Sequence, residues 1–125
     1  MNLVNFIERM IFPSSLSSSS LVIGVLHMVF LHALIKLHPG KLQAFKNRLA
    51  VMAPLQARHG WKLIGCFSSI SGDLNTVIDL WELPNPNALQ AALADPAFAE
   101  HSTDKWEIVA HETLTLFEQV PVVTA

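Results

Sequence analysis

The chain has 125 residues, of which 51% are hydrophobic and 14% are charged, and its formal net charge at pH 7 is -2. This length supports one domain with one core, and the low content of charged residues predicts that part of the apolar surface lies in an interface. Eight Lys and Arg residues, scattered along the chain, form no basic stripe for phosphate contacts, so we expect no nucleic-acid partner.

The first 27 residues differ from the rest of the chain. Six serines between positions 14 and 20 make a low-complexity spacer that cannot build a core. We expect a disordered leader or, if translation begins at Met28, a start-site artefact. The apolar run 21–35 is shorter than the roughly 20 residues of a spanning helix, so no membrane span is predicted. The expected location is cytoplasmic, or mitochondrial or exported if residues 1–27 act as a targeting segment.

The predicted domain covers residues 28–121 and leaves 122–125 as a tail. Its first strand, at about 29–37, has one apolar and one mixed face. After the turn at Pro39 and Gly40, apolar residues recur at three- and four-residue spacing and predict an amphipathic helix, with Pro54 near its end. The apolar positions of this helix are Leu42, Phe45, Leu49 and Met52.

Two runs rich in β-branched and aromatic residues flank the turn at 71–74 and predict a β-hairpin. Both faces of each strand are largely apolar, which indicates that both faces of the sheet are covered. In the first of these strands, alternation sets Trp61, Leu63 and Phe67 against Ile64 and Cys66.

Two short helices are predicted at about 88–94 and 96–101, capped by Asn85 or Asn87 and by Asp95. Trp106, Ile108 and Val109 lead into a final strand, which carries Leu114, Leu116 and Val120. The order β-α-β-β-α-β predicts an α+β, ferredoxin-like fold: a four-stranded antiparallel sheet with helices on one face. The helices leave the second apolar face uncovered, so we expect a homodimer that packs sheet against sheet.

Three segments carry a family resemblance: LHPGKL at 37–42, GWKLIGCF at 60–67 and LNTVIDLW at 74–81. They are similar to motifs of the NIPSNAP family, whose members are dimeric α+β-barrel proteins, and the similarity runs from about residue 30 to 120. The most specific part is the Leu-Ile-Gly strand followed by Asn-x-Val-x-x-Leu-Trp. The resemblance implies the fold and the dimer, but no defined biochemical role.

Two positions depart from the family pattern. Family members commonly carry a first strand of the type Glu-Leu-Arg-Thr-Tyr, where this chain has Leu31-His32-Ala33-Leu34-Ile35. Many relatives also have His at the position of Asp79. If either position binds a ligand in relatives, the ligand of this chain would differ.

Asp79 is the most informative single residue, because it interrupts an apolar strand. A buried carboxylate must accept a hydrogen bond, pair with a cation or stay protonated. Trp81 lies two residues away and so points to the same face. The candidate ligand-binding residues are therefore Asp79 and Trp81, with His32 and Lys36 as partners of Asp79 if their face lines a dimer cavity. The alternative is a purely structural acid, bonded to a neighbouring strand or to a Lys or Arg across the interface, and no catalytic residue is assigned.

Metal and cofactor sites are not predicted. The six histidines lack the spacing of a readable zinc site, and no nucleotide-binding or serine-hydrolase motif is present. Cys66 is the single cysteine, which excludes an internal disulfide and fits a reducing compartment. We expect a buried, inert thiol.

Two functions follow from these patterns. The first is a homodimer that binds a small apolar or amphipathic ligand, or a protein partner, through a cavity on the sheet face. The second is an enzyme, because related dimeric α+β barrels include cofactor-independent monooxygenases that act on activated aromatic substrates. This second function is a fold-level analogy, and the sequence leaves open whether the protein is catalytic.

Overall fold

The computed structural model describes residues 28–123. The predictions of a leader, of a start at Met28 and of a targeting segment concern residues 1–27 and lie outside the described residues. Between residues 28 and 123, no helix is long and apolar enough to cross a membrane.

Four strands and four helices make up the described chain. In order they are β1 (Val29–Leu37), α1 (Leu42–Ala57), β2 (Lys62–Ser68), β3 (Thr76–Leu83), α2 (Asn87–Leu93), α3 (Pro96–Glu100), α4 (Lys105–Ile108) and β4 (Val109–Glu118). The predicted order β-α-β-β-α-β is confirmed. The short helix α4 was not predicted, since four residues are too few to show a helical period.

The strands form one antiparallel sheet in the order β2-β3-β1-β4. The central strand β1 pairs with β3 on one side and with β4 on the other, so the first and last strands of the chain lie side by side. This is the ferredoxin-like α+β fold that the sequence predicted.

The helices cover one face of the sheet, and the core lies beneath them. On β1 the alternate residues Leu31, Ala33 and Ile35 are buried, and on β3 Val77 and Trp81 are buried in the same way. Helix residues complete this core, namely Phe45, Met52, Leu89 and Ala92. We call the other side of the sheet the open face; its residues include Phe30, His32, Leu34, Lys36, Phe67, Ile78, Leu80 and Phe117.

The predicted alternation of β2 is wrong in one respect. The pairing of β2 with β3 shifts register between Leu63 and Gly65, which is a β-bulge at Ile64. Because the bulge adds one residue, Leu63 and Cys66 share the helix-covered face, whereas Phe67 points to the open face. A strict alternation of faces counted from Leu63 therefore assigns every residue of β2 after Ile64 to the wrong face of the sheet.

Local sequence signals mark the start of two of the four helices and the last turn of α1. Pro54 lies inside α1, three residues before its end. The Asn85 side chain accepts a hydrogen bond from the Ala88 amide at 3.0 Å, and Asp95 accepts one from the Ala97 amide at 3.0 Å. Two predicted apolar positions differ: Leu42 is 39% exposed, and Val120 lies beyond β4 and is 73% exposed.

Candidate functional site

A half-open cavity of roughly 100 Å³ lies between the sheet and the helices. Most of its wall is apolar, with contributions from Phe45, Leu49, Met52, Trp81, Leu89 and Phe98. Its polar side chains are Arg48, Gln56, Asp79, Lys105 and Glu112. An apolar pocket with a few convergent polar groups is the usual form of a small-molecule site.

Asp79 is the buried acid of this cavity. Only 4% of the residue is exposed, and its Oδ1 atom has no hydrogen-bond partner among the described residues. Burial raises the pKa of the Asp79 carboxyl, because removal from water penalises the charged form. A hydrogen bond from the Cys66 thiol acts in the opposite direction, and the nearby Glu112 carboxylate raises the pKa further.

Cys66 lies directly opposite Asp79 on the neighbouring strand β2. The prediction that it is buried is wrong: β2 is an edge strand, and Cys66 is exposed. Loss of hydration around the sulfur, together with the hydrogen bond to Asp79 and its charge, raises the pKa of the Cys66 thiol to about 12. The thiol is therefore protonated at neutral pH.

Two tryptophans, Trp61 and Trp81, line the cavity. Trp81 is 2% exposed and shares a face with Asp79, as the sequence predicted. That face is the helix-covered one, not the face expected to line a dimer cavity. Its ring meets that of Trp61 edge to face, with 5.6 Å between the ring centroids. The Trp61 Nε1 atom donates a hydrogen bond to the Ala88 carbonyl oxygen at 2.9 Å, which ties the start of β2 to α2.

Ion pairs bring distant parts of the chain together at the rim. Arg48 of α1 lies 3.4 Å from the Asp104 carboxylate and also donates to the His101 carbonyl oxygen. Lys105 of α4 pairs with Glu112 of β4. These residues were not predicted as part of a site, because no local pattern connects Arg48 with a partner 56 positions away.

His32 and Lys36 do not join Asp79. The register of β1 with β3 places Ala33 opposite Asp79, so the even-numbered residues of β1 lie on the open face. The His32 ring contacts the Phe117 ring there, and Lys36 binds the Asp73 carboxylate and the Leu74 carbonyl oxygen. The prediction that His32 and Lys36 are partners of Asp79 is therefore wrong within one chain, while ligand binding by these residues stays a prediction.

No cluster of three or more His, Cys, Asp or Glu side chains between residues 28 and 123 is placed to hold a metal ion. Lys105 and Arg48 supply the positive charge beside the cavity, and each has a carboxylate partner. The chemistry that the cavity offers is therefore hydrogen bonding and proton transfer at Asp79, and hydrogen bonding at Gln56.

Solved structures with this fold include NIPSNAP proteins of bacteria. An uncharacterised NIPSNAP-like domain protein from Burkholderia xenovorans is 20% identical, with a TM-score of 0.66 over 80% of this chain and 90% of that one. A NIPSNAP family protein of unknown function from Agrobacterium tumefaciens is 17% identical, with a TM-score of 0.64 over 75% of this chain and 89% of that one. No curated protein matches the chain.

A further solved structure with this fold is SnoaB, a cofactor-independent oxygenase from Streptomyces nogalater. It is 20% identical and has a TM-score of 0.63 over 79% of this chain and 99% of that one. At these identities the structural likeness shows a common fold, and it carries no conclusion about activity. The sequence model of the NIPSNAP family matches residues 33–119, and this chain therefore belongs to the NIPSNAP family.

Proposed function

We propose that this NIPSNAP domain binds a small, largely apolar molecule in the cavity between its sheet and its helices. The observation that carries the proposal is the carboxyl group of Asp79, which is buried, faces the cavity and has an Oδ1 atom without a partner among the described residues. An unpaired buried polar group costs free energy, on the order of 1–3 kcal/mol. A ligand that donates a hydrogen bond to this oxygen would remove that free-energy cost.

The size of the cavity limits its ligand. An apolar protein cavity of about 150 Å³ holds a benzene molecule. The cavity of roughly 100 Å³ is smaller, but it opens towards solvent, so one end of a ligand can extend out of it. We infer a ligand whose buried part is one small ring or a short branched chain.

Native mass spectrometry of gently purified protein tests this proposal. We expect extra mass on the unaltered chain and loss of that mass in Asp79→Leu, which keeps the number and branching of the side-chain heavy atoms but has no polar atom. Asp73→Asn is the matched control, because Asp73 is an exposed carboxylate of the hairpin that lies outside the cavity. Equal retention by all three proteins would contradict a role for Asp79.

The same proposal includes a homodimer through the open face. Three large apolar side chains of this face are substantially exposed in the single chain: Leu34 by 39%, Phe67 by 59% and Phe117 by 50%. A patch of this kind marks an interaction surface in a soluble domain. Packing of two such faces about a two-fold axis would cover both patches at once.

A second candidate function is that of an oxygenase without a cofactor, as in SnoaB. The observation that favours it is the raised pKa of Asp79, because a carboxylate with a raised pKa is a stronger base towards an acidic proton of a bound substrate. Dioxygen uptake in the presence of hydroquinone, a single-ring probe, is the test. Uptake that Asp79→Asn abolishes would support this function, and uptake no faster than without protein would count against it.

A further inference from the structure

Three buried oxygen atoms of residues that line the cavity have no hydrogen-bond partner among the described residues. One of them, Glu112 Oε2, is held in the ion pair with Lys105. The other two are Asp79 Oδ1 on β3 and Gln56 Oε1 on α1. The two oxygens thus come from opposite walls, one from the sheet and one from the helix layer. In folded proteins such atoms almost always have a partner, and an exception indicates a site for a water, an ion or a ligand.

Gln56 is held in place by its own backbone. Its carbonyl oxygen accepts hydrogen bonds from the His59 amide at 3.0 Å and from the Trp61 amide at 3.2 Å. These bonds close the C-terminal end of α1, and Gln56 is only 9% exposed. The backbone from which the side chain extends is therefore fixed, and burial leaves the side-chain oxygen little access to water.

The charges beside the cavity are matched within the protein. Arg48 pairs with Asp104, and Lys105 pairs with Glu112. The side chains of Arg48 and Lys105 are each 15% exposed, and that of Glu112 is 10% exposed. An anionic ligand would therefore have to break one of these pairs or enter the apolar part of the cavity unpaired, and both are costly. A cationic ligand would need Asp79 to ionise, which the burial of its carboxyl group disfavours.

From these contacts we infer that the cavity selects an uncharged molecule that carries hydroxyl groups, and that these groups donate hydrogen bonds to Asp79 and Gln56. This inference rests on the proposed binding function and adds the chemical class of the ligand. The apolar wall accepts the carbon frame, and the two oxygens distinguish a hydroxyl group from a methyl group of similar size.

Phenol and toluene are the matched probes, because they differ only in a hydroxyl and a methyl group. Each is titrated into the unaltered protein, and binding is followed through backbone amide and tryptophan indole signals in nitrogen-proton correlation spectra. We expect phenol to bind about tenfold more tightly than toluene, which corresponds to one net hydrogen bond. Catechol, with two adjacent hydroxyl groups, should bind at least as tightly as phenol.

The possible results distinguish a failure of the hydroxyl selectivity from a failure of the binding function. Equal affinity for phenol and toluene would overturn the hydroxyl selectivity and leave the binding function standing. Binding of neither probe up to its solubility limit would contradict the binding function itself. Tighter binding of benzoate or benzylammonium than of phenol would overturn the inference that the ligand is uncharged.

Two variants test whether Asp79 and Gln56 cause the preference for phenol. Asp79→Leu keeps the branching of the side chain, Gln56→Met keeps a long flexible side chain, and both remove the oxygen atoms, so each should reduce the preference for phenol over toluene by several-fold. Asp73→Asn is the control and should leave the preference unchanged. Since the probe comparison uses the unaltered chain, the inference remains testable even if one variant does not fold.

Discussion

Cys66 and Asp79 are direct neighbours across β2 and β3, and the thiol donates a hydrogen bond to the carboxylate. The pair connects the exposed edge of the sheet to the buried cavity. It also couples two titrations, because the hydrogen bond opposes the ionisation of the thiol and favours that of the carboxyl group.

Thiol alkylation should therefore be slow. With a pKa of about 12 for Cys66, iodoacetamide at pH 8 should modify the thiol far more slowly than a free cysteine, whose thiolate fraction is much larger. Asp79→Asn removes the carboxylate and should increase the alkylation rate several-fold. The rate is measured by intact mass against time, with Asp73→Asn as a control. An unchanged rate in Asp79→Asn would argue against the coupling.

The raised pKa of Asp79 predicts a pH dependence of stability. The folded chain holds the Asp79 proton above the ordinary aspartate value of 3.8, whereas the unfolded chain releases it there. The stabilisation by this group is complete below that value and is lost as pH rises through the raised pKa. Asp79→Asn cannot ionise, so its stability relative to the unaltered chain should increase from pH 4 to pH 7. Urea unfolding at several pH values measures this difference, and a constant difference would contradict the prediction.

Trp61→Phe should lower the free energy of unfolding by about 1–3 kcal/mol, because it removes the hydrogen bond to the Ala88 carbonyl oxygen and part of a buried ring. Trp106→Phe is the control: that tryptophan is 51% exposed, so a change within about 0.5 kcal/mol is expected. Urea unfolding followed by circular dichroism gives both values. Equal losses in the two variants would contradict the assigned role of Trp61.

Gly60→Ala should cost more stability than Gly40→Ala. Both glycines have positive φ, +82° and +79°, so both variants incur the left-handed penalty of about 1–2 kcal/mol. Only at Gly60 would a new Cβ lie 3.0 Å from Pro84 Cγ, while at Gly40 it meets nothing within 4 Å. The difference between the two unfolding free energies therefore isolates the contact with Pro84. Equal unfolding free energies for the two variants would contradict the prediction and would mean that the loop around Pro84 moves aside without loss of stability.

Phe117→Glu tests the proposed homodimer. A carboxylate between two packed open faces would be buried without a partner, so we expect the variant to sediment as a monomer where the unaltered chain sediments as a dimer. Ile70→Glu is the control, since Ile70 is 94% exposed in the loop between β2 and β3. A dimer in both variants would place the interface elsewhere, and a monomeric unaltered chain would refute the dimer.

Short-range patterns in the chain predict much of the fold. The period of two in 29–37 corresponds to β1, and the caps at Asn85 and Asp95 mark where α2 and α3 begin. These features follow from interactions between residues a few positions apart, such as a side chain that accepts a nearby amide. The shared face of Asp79 and Trp81 follows from the same local geometry.

Residues far apart in the chain decide the site. The sequence indicates that Asp79 is buried, but only the pairing of β1 with β3 shows that it faces the helices rather than the open face with His32. Likewise the bulge at Ile64 places Cys66 beside Asp79. Side-chain periodicity specifies which residues share a face, whereas the choice of the face that the helices cover depends on packing across the whole domain.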